Sequence, residues 1–267
     1  MTADFVIAIL AFCVGACLGS FVNVCIYRMP LNRSILYPRS HCAACGAPIP
    51  WKYNIPIFSW FWLRGRAACC GTRMDAQYVI VEGLVALGVM GIWLMYPLAL
   101  ALIYTLFFCG LVTASFVDMD HFIIPDEISL GGCLAGLALS LAAPELHGVA
   151  KRWDAVWNSF LGIMFGGGLL LVIAILGALL LRKEAMGMGD IKLMAMMGAF
   201  LGWQAPIFIV IVSSVMGAAC GIFILMRKQK MFGVRMPYGP YLALAGILWV
   251  FGGREWWMRY IEIFNRT

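Results

Sequence analysis

Ser115-Phe116-Val117-Asp118-Met119-Asp120-His121-Phe122-Ile123-Ile124-Pro125-Asp126-Glu127 closes an apolar run that begins near Leu98. Four of the chain's thirteen acidic residues, Asp118, Asp120, Asp126 and Glu127, fall within ten positions of this stretch. The chain is 63% hydrophobic and only 12% charged, so acid is concentrated at the edge of a membrane-length segment. Carboxylates beside hydrocarbon are expensive and mark ion paths, proton relays or active sites. A second lone carboxylate, Asp190 in Gly187-Met188-Gly189-Asp190, stands at the edge of another apolar run, which suggests a pair.

Working outward from that pair, 267 residues with a mean hydropathy of +0.92 read as one all-α polytopic membrane protein. The first apolar run, Phe5 to Tyr27, has no basic region before it and reads as a retained transmembrane helix rather than a cleaved signal. Further segments run near Tyr78 to Met95, Leu98 to Val117, Ile128 to Ala143, Phe160 to Leu181, Ile191 to Trp203, Pro206 to Met226 and Tyr241 to Phe251, about eight transmembrane helices in all. Ile191 to Trp203 is short for a full span and is expected to be tilted, re-entrant or buried in the bundle.

Between the first two helices lies a polar segment carrying Arg28, Arg33, Arg39, Lys52, Arg64, Arg66 and Arg73 against Asp75 alone. The positive-inside rule puts this segment in the cytoplasm and the N-terminus outside. The expected organisation is a first transmembrane helix over 1–28, a small cysteine-bearing cytoplasmic domain over 29–77, and a seven-helix membrane core over 78–267. Eight spans then place the Asp118 loop, the Arg182-Lys183-Glu184 loop and the Arg227 to Arg235 loop on the cytoplasmic side too. With Lys192, the cytoplasmic connections hold fourteen of the nineteen basic residues, and Asp118 and Asp190 share a membrane face. This accounts for the net charge of +6 without a nucleic-acid partner. Trp153 and Trp157, and Trp256, Trp257 and Tyr260, read as aromatic belts against membrane lipid.

Two carboxylates brought together in a poorly solvated site cannot easily both ionise, so one holds a proton while the other acts as a base. That is the machinery of an aspartic peptidase, in which one carboxylate activates water and the other polarises the scissile carbonyl and protonates the leaving amine. Gly187 and Gly189 would let backbone or an extended substrate approach Asp190. The competing reading makes Asp190 a helix cap and Asp118 a solvated loop residue.

Cys42-Ala43-Ala44-Cys45 and Cys69-Cys70 form a thiol set suited to tetrahedral zinc, with a redox pair or free thiols as alternatives and His41 as a substitute ligand. The other six cysteines lie in apolar runs and read as small hydrophobes. Gly15, Gly19, Ser20 and Asn23 make a stripe of small and polar residues on the first helix, the pattern of close helix packing. Asn23 at that depth needs a partner, and Glu82 is expected to face Asn23, Arg28 or a bound polar ligand. Lys192 is either a counter-ion to Asp190 or a snorkelling side chain.

Assembled, these residues resemble the type IV prepilin peptidases, the GxGD membrane aspartic proteases that act as leader peptidase and N-methyltransferase in type IV pilus and type II secretion systems. The resemblance is carried by Gly19-Ser20-Phe21-Val22-Asn23-Val24 with Arg28 and Pro30, by Cys42 to Cys45, and by Asn54-Ile55-Pro56 and Leu63-Arg64-Gly65-Arg66. It continues through Asp118 to Pro125-Asp126, Gly187-Met188-Gly189-Asp190 with Lys192, and Pro237-Tyr238-Gly239-Pro240. It implies that Asp118 and Asp190 are the catalytic pair, with Asp120, Asp126, Gly187, Gly189 and Lys192 accessory. It implies cleavage of type IV prepilins or pseudopilins after the glycine ending a basic leader, at the cytoplasmic face of the bacterial inner membrane. Methylation of the new N-terminal residue with S-adenosylmethionine follows.

One departure concerns the second cysteine pair, which in the family follows Gly-Arg as CxxC. Here Ala67 and Ala68 precede Cys69 and Cys70, so the set for structural zinc becomes Cys42, Cys45, Cys70 and, as a substitute, Cys69. The chain carries no nucleotide-type motif, and Glu82, Asn23 and Arg28 are the residues expected to matter to the methyl donor. A GxGD protease without methyl transfer and a small proton- or cation-coupled transporter are the alternatives. The cysteine-bearing loop and the Gly19 to Asn23 signature argue against the first, and carboxylates at one membrane edge rather than the midplane argue against the second.

Overall fold

The computed structural model describes residues 2–182, 186–228 and 236–264. Lys183 and Glu184, and the part of the last basic loop from residue 229 to Arg235, lie outside the described residues. Among the described residues the architecture is helical and contains no strand: α1 (Thr2–Arg28), α2 (Phe58–Trp62), α3 (Ala76–Met95), α4 (Leu98–His121), α5 (Asp126–Ala142), α6 (Arg152–Leu181), α7 (Met188–Leu201), α8 (Ala205–Lys228), α9 (Gly239–Leu248) and α10 (Arg254–Phe264).

Each of the eight expected apolar segments is a helix, but they are of two kinds. Five, α1, α3, α4, α6 and α8, are long and apolar enough to cross a membrane. The others, α5, α7 and α9, have 17, 14 and 10 residues. At about 1.5 Å of rise per residue all three are shorter than a hydrocarbon core of about 30 Å, α7 and α9 most clearly. By packing, the chain divides into two compact units, Met1–Thr113 and Ala114–Thr267, with the boundary inside α4.

In the first unit α1 runs against α3. The small-residue stripe performs the expected work: a Cβ on Gly19 would stand 2.7 Å from the Glu82 Cα, and one on Gly15 would stand 2.8 Å from the Ala86 Cα. Such backbone approach between apolar helices gains dispersion contacts that a larger side chain would prevent. Asn23 finds its partner on the same helix pair, donating through Nδ2 to the Tyr78 carbonyl at 3.0 Å. Pro30 ends α1 in a short turn over Met29–Leu31, and Asn32 closes that turn in the left-handed region at φ 52°. Asp75 starts α3 by accepting the Gln77 amide at 2.9 Å, an N-cap bond.

The second unit is built around α7. Nearly every residue from Asp190 to Phe200 is buried, including Leu193, Met194, Met196 and Met197. Gly162 on α6 and Gly198 on α7 each meet the other's backbone so closely that a Cβ on either would overlap the opposing carbonyl oxygen. Ser159 on α6 donates to the Ala199 carbonyl at 2.8 Å. Of the three fates expected for the short apolar segment after Asp190, burial within the bundle is the one observed. A wide turn over Trp249–Gly253 separates α9 from α10. On α10 Trp256 and Tyr260 are exposed, whereas Trp257 turns inward against Phe208. Trp153 and Trp157 are exposed at the start of α6.

Candidate active site and thiol centre

Asp118 lies in the last turn of α4 and Asp190 in the first turn of α7, so each carboxylate sits where an apolar helix meets a connection. They are 6% and 9% exposed, far from the exposure of ordinary helix-end acids, and each lies within electrostatic range of the other. The competing cap and loop readings do not describe them. The residue at the cap position of α7 is Gly187, and Asp118 is helical and buried.

A third element completes the site. The backbone N–H of Gly239, the first residue of α9, donates to Asp118 Oδ2 at 2.9 Å. First-turn amides of a helix have no intrahelical acceptor, so Asp118 satisfies one of them. A Cβ on Gly239 would stand 2.7 Å from Asp118 Oδ2, so this approach requires glycine.

Gly187 and Gly189 have different surroundings. A Cβ on Gly189 would meet Ile124 at 3.2 Å, so the chain itself covers that side. Gly187 is exposed, and among the described residues the only side chain within 4 Å of a Cβ built there is Asp190. The backbone approach expected at both glycines is therefore open at Gly187 alone. Asp120 and Asp126 are exposed. Lys192 reaches Asp126 rather than Asp190, with Nζ to Oδ1 at 2.7 Å.

In the first unit, Glu82 is buried and its Oε2 accepts the Ile57 backbone N–H at 2.7 Å. Ile57 occupies φ 63°, ψ −56°, the centre of a three-residue turn closed by Phe58 N–H to the Pro56 carbonyl at 2.6 Å. A β-branched residue at positive φ is strained, and the Glu82 carboxylate is one of the contacts that hold it there. Arg28 is buried and donates to the Ser34 and Pro38 carbonyls at 3.1 and 2.8 Å, bracing the loop after α1. Asn23, Arg28 and Glu82 nonetheless line one cavity of about 390 Å³ together with Tyr53, Trp60 and Tyr78. That volume is within the range of small-molecule sites. The Trp60 ring lines that cavity, and its Nε1–H is buried with no acceptor among the described residues.

The four cysteines converge, with their sulfurs all within 4.8 Å of one another. Cys42 Sγ is 3.7 Å from Cys70 Sγ, Cys45 Sγ is 3.3 Å from Cys69 Sγ, and Cys69 Sγ is 3.8 Å from Cys70 Sγ. Tetrahedral zinc–sulfur bonds of about 2.3 Å separate ligand sulfurs by roughly 3.8 Å, so the set fits such an ion. His41 is not among them and points Nδ1 at the Arg39 carbonyl.

Two matching turns present these thiols. In the first, Cys42 N–H donates to the Ala47 carbonyl and Gly46 N–H to the Cys42 carbonyl. In the second, Ala67 N–H donates to the Thr72 carbonyl and Gly71 N–H to the Ala67 carbonyl. Gly46 and Gly71 take φ 72° and 70° at equivalent points. Ala67 is thus the counterpart of Cys42, Cys70 of Cys45, and Cys69 supplies its sulfur from outside that register. The protons are unequally held. Hydrogen bonds from the Thr72 side chain and backbone bring Cys70 down to about 6, and the Cys45 and Ala44 backbone amides lower Cys42. Cys69 is pushed up to about 12, first by its hydrogen bond to Cys45.

A helical membrane protein that buries a carboxylate at the end of one apolar helix and brings a second to it from a Gly-x-Gly-Asp turn falls in the class of membrane aspartic peptidases. Within that class the chain belongs to the type IV leader peptidase family. Residues 105–222 match the model of that family, and residues 13–96 match the bacterial peptidase A24 N-terminal domain. The chain is similar to proteins named prepilin leader peptidase/N-methyltransferase. The one from Aeromonas salmonicida is 34% identical over 94% of this chain and 94% of that protein. The one from Pseudomonas putida is 32% identical over 92% and 91%. The Myxococcus xanthus protein of that name is 35% identical over 84% of this chain, which spans 64% of the relative's length. No solved structure matches the chain.

Glu82, Asn23, Arg28, Asp118, Asp190 and the four cysteines were all legible as candidates. The Gly239 amide, the Ile57 turn and the orphaned Trp60 indole were not. The only sequence signal for the first was the Pro237-Tyr238-Gly239-Pro240 motif.

Proposed function

We propose that this chain is a bifunctional enzyme of the bacterial inner membrane. It cuts the basic leader from type IV prepilins or type II secretion pseudopilins after the leader's terminal glycine, then methylates the new N-terminal residue. The observation that carries the reading is the buried Asp118–Asp190 pair at two helix ends, in a chain of the type IV leader peptidase family.

In this reading the pair shares one proton. The ionised carboxylate takes a proton from water as its oxygen adds to the scissile carbonyl carbon, and the other carboxyl gives its proton to the carbonyl oxygen. The resulting diol collapses as the first carboxyl, which holds the proton taken from water, protonates the departing amine in place of the second, which has given its own proton away and regains one from the diol. A carboxylic acid and a free amine leave, and the pair is restored. The exposed side of Gly187 is where an extended peptide reaches Asp190.

The cavity beside α1 and α3 suits the methyl donor. S-adenosylmethionine, when bound, supplies an electrophilic methyl group on a cationic sulfonium. Glu82 offers that cation a carboxylate, and Tyr53, Tyr78 and Trp60 offer aromatic rings. Cys42, Cys45, Cys69 and Cys70 would hold zinc as a staple for a domain with little apolar core. The charge distribution supports an N-terminus outside and a catalytic face toward the cytoplasm. The relatives' names give no support to a transporter or to a protease lacking methyl transfer.

The test is mass spectrometry of a prepilin incubated with the purified chain in detergent and S-adenosylmethionine. Loss of the leader plus one methyl group, absent with Asp190→Asn, is the expected result. An intact prepilin overturns the peptidase reading, and leader loss without methylation overturns the bifunctional one.

A further inference from the structure

Asp118 is held by a short chain of contacts that begins on α8. Ser213, fully buried there, donates its own hydroxyl proton to the Val210 carbonyl at 3.2 Å. Its oxygen is also hydrogen-bonded to the Tyr238 phenol oxygen, at 2.7 Å. Tyr238 is the residue immediately before α9, and the next residue, Gly239, gives its N–H to Asp118 Oδ2. Pro240 has no N–H, so no second amide at that point competes for the carboxylate. Gly239 is itself buried, and a Cβ there would collide with Asp118 as well as stand 3.3 Å from Ile124. The start of α9 therefore has one position that works, and the Tyr238 phenol pins it to α8.

We propose that the Tyr238–Ser213 hydrogen bond is a latch that fixes Gly239 on Asp118 Oδ2, making Tyr238 a positioning residue and leaving Asp118 Oδ1 as the oxygen that handles the proton. The proposal rests on the peptidase reading. An N–H can only donate, so Oδ2 keeps an acceptor role throughout and the geometry of Oδ1 follows from the plane of the carboxylate. A hydrogen bond to a carboxylate oxygen is stronger when that oxygen carries charge, so the latch bears on how Asp118 handles its proton. Among the described residues the charged group of another element that faces Asp118 is Asp190 on α7, and Lys192 on that helix is engaged by Asp126.

Tyr238→Phe removes the latch and leaves the ring. Its kcat for leader removal should fall about tenfold with KM unchanged, and the acid limb of its pH profile should move to higher pH. Ser213→Ala should do the same, and the double variant should be no worse than either. Ser214→Ala, whose hydroxyl is 3.5 Å from the phenol, is the control that keeps wild-type kinetics.

Infrared spectra of the wild type and Tyr238→Phe at one pH read the protonated-carboxyl band without substrate, and that band should grow in the variant. A lower melting temperature with unchanged kcat, pH profile and carboxyl band would make Tyr238 merely structural and overturn the proposal. A wild type that cleaves no prepilin defeats the peptidase reading instead, and the infrared comparison still decides the latch.

Discussion

Lys192 and Asp126, sixty-six positions apart, close a 2.7 Å ion pair between the second turn of α7 and the first turn of α5. The side chains are 32% and 58% exposed, so solvent screens the pair and its contribution to stability is small, about 0–1 kcal/mol. Its geometric role is to tie the turn that carries Asp190 to the start of the helix that follows Asp118. Lys192→Ala and Asp126→Ala should each change the melting temperature little while lowering the rate of leader removal. The exchanged pair Lys192→Asp with Asp126→Lys should recover part of the lost rate. Kinetics and calorimetry on the same preparations check this.

Asp118→Asn and Asp190→Asn should each lower leader cleavage by a factor of about 10² to 10⁴ or more without unfolding the protein. Amide replaces carboxyl at constant shape, and the Gly239 N–H can still reach the amide oxygen at position 118. Cleavage assays beside circular dichroism in detergent decide it, and a wild-type rate in either variant would reassign the pair.

Glu82→Gln keeps the acceptor for the Ile57 amide but removes the negative charge from the cavity wall. Methyl transfer should fall at least about tenfold, as loss of an ionic partner implies, while leader cleavage persists. The products to quantify are unmethylated and methylated mature pilin. Equal loss of both would show that Glu82 serves only the fold.

The displaced sulfur gives a further test. Cys69→Ala should lower zinc content and weaken metal affinity, measured by elemental analysis and by the charge-transfer bands of the cobalt-substituted protein. Adding Ala67→Cys to that variant places a thiol at the counterpart of Cys42 and should restore both. Leader cleavage should survive metal removal, since no step of peptide hydrolysis in the proposed mechanism runs through the thiols.

Gly19→Leu should be destabilising by about 1–3 kcal/mol, because its Cβ would stand 2.7 Å from the Glu82 Cα on α3. Thermal unfolding in detergent measures it, and an unchanged midpoint would show that α1 can move away from α3 without cost.

Several of these features were legible before any coordinates. Gly15 and Gly19 announced close packing because small residues at intervals of four share a helix face, and Ala86 and Glu82 are what they pack against. Asn23 announced a partner because a buried amide must bond, but nothing in its surroundings named the Tyr78 carbonyl. Eight apolar segments were countable, whereas their division into five long helices and three short ones depended on where each helix stops. By its position two residues on, Lys192 reads as either a counter-ion for Asp190 or a snorkelling side chain. The helix turns it toward Asp126 instead.

The order of apolar runs, the basic cluster before α3, the carboxylates at the run edges and the four thiols follow from the sequence alone. Hydropathy, charge and short spacings are local properties that sum along a chain. Tertiary structure alone decided that Gly239 caps Asp118 across 121 positions, that Cys69 rather than position 67 completes the thiol set, and that α7 is enclosed by its neighbours. Those outcomes depend on which backbone groups and side chains are brought together when distant helices pack, and no local pattern encodes a distance between them.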